Sequence, residues 1–197
     1  MYTSKEQYYR IHSPFYNATR WAFLFGRTKL HNHIPDSATP QRILEIGCGT
    51  GYHLAQLEQR FPQAQLTGID SSEAMLKIAK GKIHSEQTVF IKDRYTGDSF
   101  PENSFDLIIC SYSLTMMNDL NNVIEAIKKH LCAEGMFMAV DFDQSPSLLF
   151  KQWMKTNFVD FDAGLFTKLK TSFPNYSYHT YQAYLGLWTY ALFVGRS

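Results

Sequence analysis

Residues 43–51 read ILEIGCGTG, and this stretch decides the fold. With Arg42 ahead of it, RILEI is a short apolar run of the kind buried in a parallel sheet. Gly47, Gly49 and Gly51 follow, and then Leu54, Leu57 and Phe61 recur at helical spacing until Pro62. A strand that turns through glycines into a helix lets the backbone approach a ligand where a side chain would clash. The next apolar run, QLTGI at 65–69, ends on Asp70, 19 residues past Gly51. In folds of this type a carboxylate there accepts hydrogen bonds from a ribose diol.

Two features narrow the ligand. A dinucleotide fingerprint needs a third glycine where this chain has Tyr52, and no GKS or GKT phosphate loop occurs. Glu45, just ahead of the glycines, would repel a pyrophosphate but suits a ligand bearing an ammonium and a sulfonium. The expected cofactor is S-adenosyl-L-methionine.

Outward from this centre, strands and helices alternate. Ser72 caps a helix carrying Met75, Ile78 and Ala79; TVFI (88–91) and FDLIIC (105–110) read as strands. Leu120, Val123, Ile124, Ile127 and Leu131 mark one helix face, and a turn at Ala133–Gly135 leads into MFMAVDF (136–142). SYHTYQAYLG (177–186) and LWTYALFVG (187–195) have no helix between them and read as a closing antiparallel hairpin. The expectation is an α/β, Rossmann-like, seven-stranded and mostly parallel sheet in a single domain, 1–197. Residues 1–40 form its N-terminal helical lid and substrate segment, with a helix from about Tyr16 to His31, and residues 41–197 its cofactor-binding part.

Composition excludes several classes. Hydrophobic residues make up 45% and charged residues 19%, so a packed core is expected, and a net charge of +1 gives nucleic acid no bulk attraction. Cys48, Cys110 and Cys132 form no CxxC pair, which suits reduced thiols in the cytoplasm. MYTSKEQYYR lacks the pattern of a signal peptide, and GLWTYALFVG is about half the ~20 residues that span a bilayer. The expected location is cytoplasmic, with at most peripheral contact at a membrane surface. WAFLFGR, with Arg20 and Arg27, is a candidate lid or interfacial anchor. His31-Asn32-His33 lacks a third ligand, so no metal is expected, and no GxSxG elbow is present.

EIGCGTG, GIDSSEAML and FPENSFDLIICSYSL, within residues 41–142, resemble the successive motifs of class I S-adenosylmethionine-dependent methyltransferases. The resemblance implies that Glu45, Gly47, Cys48, Gly49 and Gly51 line the methionine side of the cofactor. It implies that Asp70 and Ser71 hold the ribose, that Met75 lies beneath it, and that Asp93 with Arg94 meets the adenine. Cys110, Ser111 and Tyr112 would end the fourth strand beside the transferred methyl.

HSPFYNATRWAFLFGR, SYSLTMMND and VDFDQ further resemble the diacylglycerylhomoserine N-methyltransferases of betaine-lipid synthesis. That resemblance implies an amine acceptor on a small molecule or lipid headgroup. Tyr8, Tyr9, Tyr16, Trp21 and Tyr112 would supply aromatic faces for a cationic product, and Arg20 would hold an acceptor anion. Tyr112, Tyr16 and Asp141 are the candidate catalytic residues, with Asp141 or Asp143 drawing the ammonium or taking its proton. Two rivals remain: an N- or O-methyltransferase of a soluble molecule, and a non-catalytic cofactor-binding subunit.

Overall fold

The computed structural model describes residues 23–161 and 164–197. The sheet strands are β1 (Arg42–Ile46), β2 (Gln65–Asp70), β3 (Thr88–Lys92), β4 (Phe105–Ser111), β5 (Leu131–Phe142), β6 (Asn175–Ala183) and β7 (Trp188–Arg196). They form one seven-stranded sheet in the order β3-β2-β1-β4-β5-β7-β6. β1 to β5 run parallel, while β7 is antiparallel to β5 and pairs with β6 as the expected hairpin. The chain builds outward from β1 to β3 and then returns to lay β4 on the other side of β1. That reversal opens a crevice at the carboxyl ends of β1 and β4, where ligands bind in open α/β sheets.

The helices are α1 (Arg27–His31), α2 (Tyr52–Arg60), α3 (Glu73–Lys80), α4 (Leu120–His130), α5 (Leu148–Thr156) and α6 (Leu165–Ser172). Alternation along the strands divides the core into two layers. Met136, Met138 and Val140 of β5 pack with Leu30, Leu54, Leu57 and Met154, while Phe137 and Ala139 pack with Ile124, Ile127, Leu169 and Phe173. Helices α1, α2 and α5 thus cover one face, and α4 with α6 the other. Among the described residues no helix is long and apolar enough to cross a membrane.

Two sequence expectations change. Leu131 begins β5 and does not end α4, and Ala133–Gly135 is a bulge inside the strand: Phe105 pairs with Leu131, but Leu107 with Met136. Of the helix expected from about Tyr16 to His31, residues 16–22 lie outside the described residues; within 23–31 it is α1 alone, which starts after Gly26 at φ +80. A Cβ on Gly26 would lie 2.5 Å from the Tyr190 ring, so this turn lets the backbone press onto β7. Helices α5 and α6 fill the stretch between β5 and β6, to which the sequence reading assigned no element.

Candidate functional site

The turn after β1 follows from its glycines. Gly47, Gly49 and Gly51 hold φ of 69°, 53° and 72°, a left-handed run that only glycine adopts readily. The Gly47 and Cys48 N–H groups donate to the Ile69 carbonyl at 2.8 and 3.2 Å, tying the turn to β2. The next N–H, from Gly49, donates to Asp70 Oδ2 at 2.8 Å, and Ser72 N–H donates to Oδ1 at 2.8 Å. Asp70 is therefore clamped between the glycine turn and the start of α3. Each carboxylate oxygen keeps acceptor capacity for a ligand hydroxyl. Burial pushes the Asp70 carboxyl up, opposed by the Ser72 and Gly49 N–H groups.

Glu45 is buried in β1, and its Oε2 has no hydrogen-bond partner. Burial pushes its pKa up to about 8, against the pull of Arg27 and the Leu54 N–H, while the Asp70 charge adds to the rise. Arg27, at the start of α1, lies with its guanidinium carbon 4.2 Å from the Tyr52 ring centroid, and its Nε is also buried without a partner. Tyr52, standing where a dinucleotide site needs glycine, is thus the platform under Arg27. At the end of β4, Ser111 Oγ is a further buried oxygen with no partner. Buried polar groups are normally satisfied. Here three that are not belong to residues at or facing the carboxyl ends of β1 and β4.

The other anticipated residues separate. Met75 is buried on α3, whereas Ser71, Asp93 and Arg94 are exposed and the Arg94 N–H donates to Asp93 Oδ1 at 2.7 Å. Cys48 and Cys110 are buried in the two core layers, and burial pushes both thiols up. Cys110 follows Ile108 in the strand alternation, so its side chain faces the core layer with Ile46 and Leu114 and not an open site. Tyr112 sits at φ +54 with its hydroxyl donating to the Phe25 carbonyl at 2.5 Å, and its ring meets Phe142 edge-on at 4.8 Å. It straps the N-terminal segment to the sheet.

Asp141, a candidate catalytic carboxylate in the sequence, is placed at the turn after β4. It is fully buried and accepts from Leu114 N–H, Thr115 N–H, the Thr115 hydroxyl and Phe142 N–H at 3.0, 3.2, 2.6 and 2.9 Å. Its acceptor capacity is spent on anchoring the turn after β4. Asp143 is held by Thr189 Oγ1 at 3.3 Å. Tyr8, Tyr9, Tyr16, Arg20 and Trp21 lie outside the described residues.

Sequence spacing missed Arg27 as a site residue, because only the fold brings α1 to β1. It also missed His31, whose Nε2 meets His53 Nδ1 at 2.7 Å with the rings stacked at 4.8 Å. Burial, helped by the charge of Arg60, takes His31 down to about 4, so this bridge between α1 and α2 is neutral at physiological pH. Beyond the turn after β4, a cleft of about 520 Å³ is lined by Met116, Met117, Asn118, Lys155, Phe158 and Lys168, among others.

Strand order, glycine turn and clamped aspartate together define a class I methyltransferase fold. The family model described as a methyltransferase domain matches residues 43–135. The uncharacterized methyltransferase YdaC of Bacillus subtilis is 30% identical over 137 residues, 68% of this chain and 75% of that protein. The chain belongs to the S-adenosylmethionine-dependent methyltransferase family. A malonyl-acyl-carrier-protein O-methyltransferase of Bacillus anthracis is 36% identical over 103 residues, 52% of this chain but only 38% of that enzyme. Among solved structures, phosphoethanolamine N-methyltransferase 2 of Haemonchus contortus, in complex with S-adenosyl-L-methionine, superposes with a TM-score of 0.79. That match has 17% identity and covers 100% of this chain and 60% of the other.

Proposed function

We propose that the protein transfers a methyl group from S-adenosylmethionine to an amine nitrogen on a headgroup-type acceptor. The observation that carries the cofactor half is the unpartnered Glu45 Oε2, buried at the end of β1 and set against the Asp70–Gly49 clamp. The groups present suit the cofactor piece by piece. Glu45 would take its ammonium, Arg27 its carboxylate and Asp70 its ribose hydroxyls, with Ser111 near the reacting end. When bound, the cofactor supplies a methyl already activated on a sulfonium. Alignment and exclusion of water are then the main tasks left to the chain.

The amine half rests on the surroundings of the crevice. Phe25 lies against Tyr184 and Tyr190, with ring centroids 5.5 and 6.2 Å away, a wall that suits a cationic product. Lys155 and Lys168 in the neighbouring cleft suit an acceptor anion, the role that Arg20 holds in the sequence reading. Likeness to the diacylglycerylhomoserine enzymes favours a lipid headgroup. A second reading, an oxygen acceptor, is favoured by the malonyl-acyl-carrier-protein relative. That relative matches 52% of this chain and only 38% of its own length, which leaves the amine reading the better supported by the crevice surroundings. Mass spectrometry of products from the purified protein, labelled cofactor and matched amine and carboxylate acceptors tests the choice. Methylated amine is expected; methyl ester alone would overturn the amine reading.

Asp70→Ala is expected to weaken cofactor binding by about 1.5–3 kcal/mol, because the ribose loses a charged acceptor. Calorimetry checks it, and unchanged affinity would mean that the ribose is held elsewhere. Glu45 gives a pH signature. Its proton, held up to about 8 by burial, must leave before the carboxylate can meet a cation. Affinity in the wild type relative to Glu45→Gln should therefore rise by up to ~10-fold per pH unit from about 6, levelling near 8. Without cofactor the sign reverses. The raised folded-state pKa stabilises the fold at low pH, and that contribution is lost as pH rises toward 8.

A further inference from the structure

Along the rim of the crevice, the most unusual surface is apolar. Among the described residues eight large hydrophobic side chains are exposed, and six of them fall in two segments: Leu148, Leu149 and Trp153 on α5, and Tyr184, Leu185 and Leu187 in the β6–β7 turn. These segments meet. Ser145 Oγ donates to the Leu187 carbonyl at 2.7 Å, and Ser147 N–H donates to that same Ser145 oxygen before capping α5. Phe150 of α5 stacks on Trp188 at 5.0 Å, while Trp188 also meets Tyr184 at 4.8 Å.

The face is presented outward. Leu148 and Leu149 are 74% and 79% exposed, and only Met154 of α5 is fully buried. Leu185 is 107% exposed at a left-handed φ of 56°, followed by Gly186 at φ 90°. The turn therefore holds a leucine at its tip in a backbone state that favours glycine.

Charge and residue type select the partner. Residues 144–159 and 181–189 contain no Asp or Glu, while Lys151 and Lys155 lie on α5 beside the apolar side chains. Leucines at a tip, Trp and Tyr rings and lysines without intervening carboxylates match the boundary of a lipid bilayer with anionic headgroups. Placement agrees. Phe142 pairs with Tyr190, so the β6–β7 turn and the start of α5 both stand at the carboxyl edge that holds the crevice.

We propose that this face docks on an anionic lipid surface and turns the crevice toward it. The proposal rests on the methyltransferase reading only in taking that edge as the site; the docking face itself is independent of the acceptor. Flotation of the full chain with phosphatidylcholine vesicles, with and without about 30% phosphatidylglycerol, tests it. Co-flotation with the anionic vesicles, weakened by salt, is expected. The triple variant Leu148→Ser, Leu149→Ser, Leu185→Ser should lower it at least ~10-fold, and Lys155→Glu should lower it on anionic vesicles alone. Calorimetric cofactor binding by the triple variant shows that it is folded, and a wild type that floats without binding cofactor would count against the methyltransferase reading only. Absent flotation, flotation unchanged in the triple variant, or a dimer that the triple variant converts to monomer in sedimentation would each overturn the proposal.

Discussion

Gly47→Ala is expected to lower stability by about 2–4 kcal/mol and to remove measurable cofactor binding, the sum of left-handed strain and a core overlap. A Cβ at this position would lie 2.5 Å from Ser113 Cβ and 3.1 Å from Ser113 Oγ, with the backbone at φ +69. Ser113 has little freedom to retreat, because its hydroxyl donates to the Ile46 carbonyl at 2.9 Å. Moving it would break the contact between the ends of β1 and β4, which frames the crevice. Gly49→Ala is the control: φ is +53 but nothing lies within 4 Å of the added Cβ, so only backbone strain of about 1–2 kcal/mol remains. Chemical denaturation of both variants checks the difference. Equal losses would mean that the β4 turn yields and that the close approach is not what fixes glycine at 47.

Asp141→Ala should cost about 3–5 kcal/mol, because it strands three backbone N–H groups and a hydroxyl inside the protein. Asp141→Asn separates anchoring from chemistry. Its amide keeps one acceptor oxygen but sets an NH2 against donors, so the melting temperature should fall. The kcat/KM of the molecules still folded should change less than threefold. A normal melting temperature with kcat/KM down by a hundredfold or more would restore Asp141 as a proton acceptor.

These two residues mark what the chain discloses by itself. The β1–glycine–α2 unit and Asp70 are legible because their logic is local: an apolar run, three glycines and a carboxylate at the next strand end. The hairpin is legible because 177–195 holds two β-rich runs with no helix between them. Leu131 misled because it sits four residues after Ile127 and so prolongs a helical stripe that the chain abandons at His130. α5 escaped notice because its apolar side chains are not on a buried stripe; three of them are exposed. Cys110 and Asp141 are near the site in sequence, yet strand alternation and a set of backbone donors turn them inward. Arg27 and the His31–His53 bridge could not be found by spacing, since their partners come from other segments.

The central claim is that the glycine turn, Glu45 and Asp70 form a site for S-adenosylmethionine and not for a dinucleotide. Titration calorimetry with S-adenosylmethionine and with NAD, on the wild type, Glu45→Gln and Asp70→Ala, tests it most directly. Saturable binding of S-adenosylmethionine, weakened in both variants, with no heat from NAD is the expected result. Tighter binding of NAD, or S-adenosylmethionine affinity indifferent to both substitutions, would contradict it.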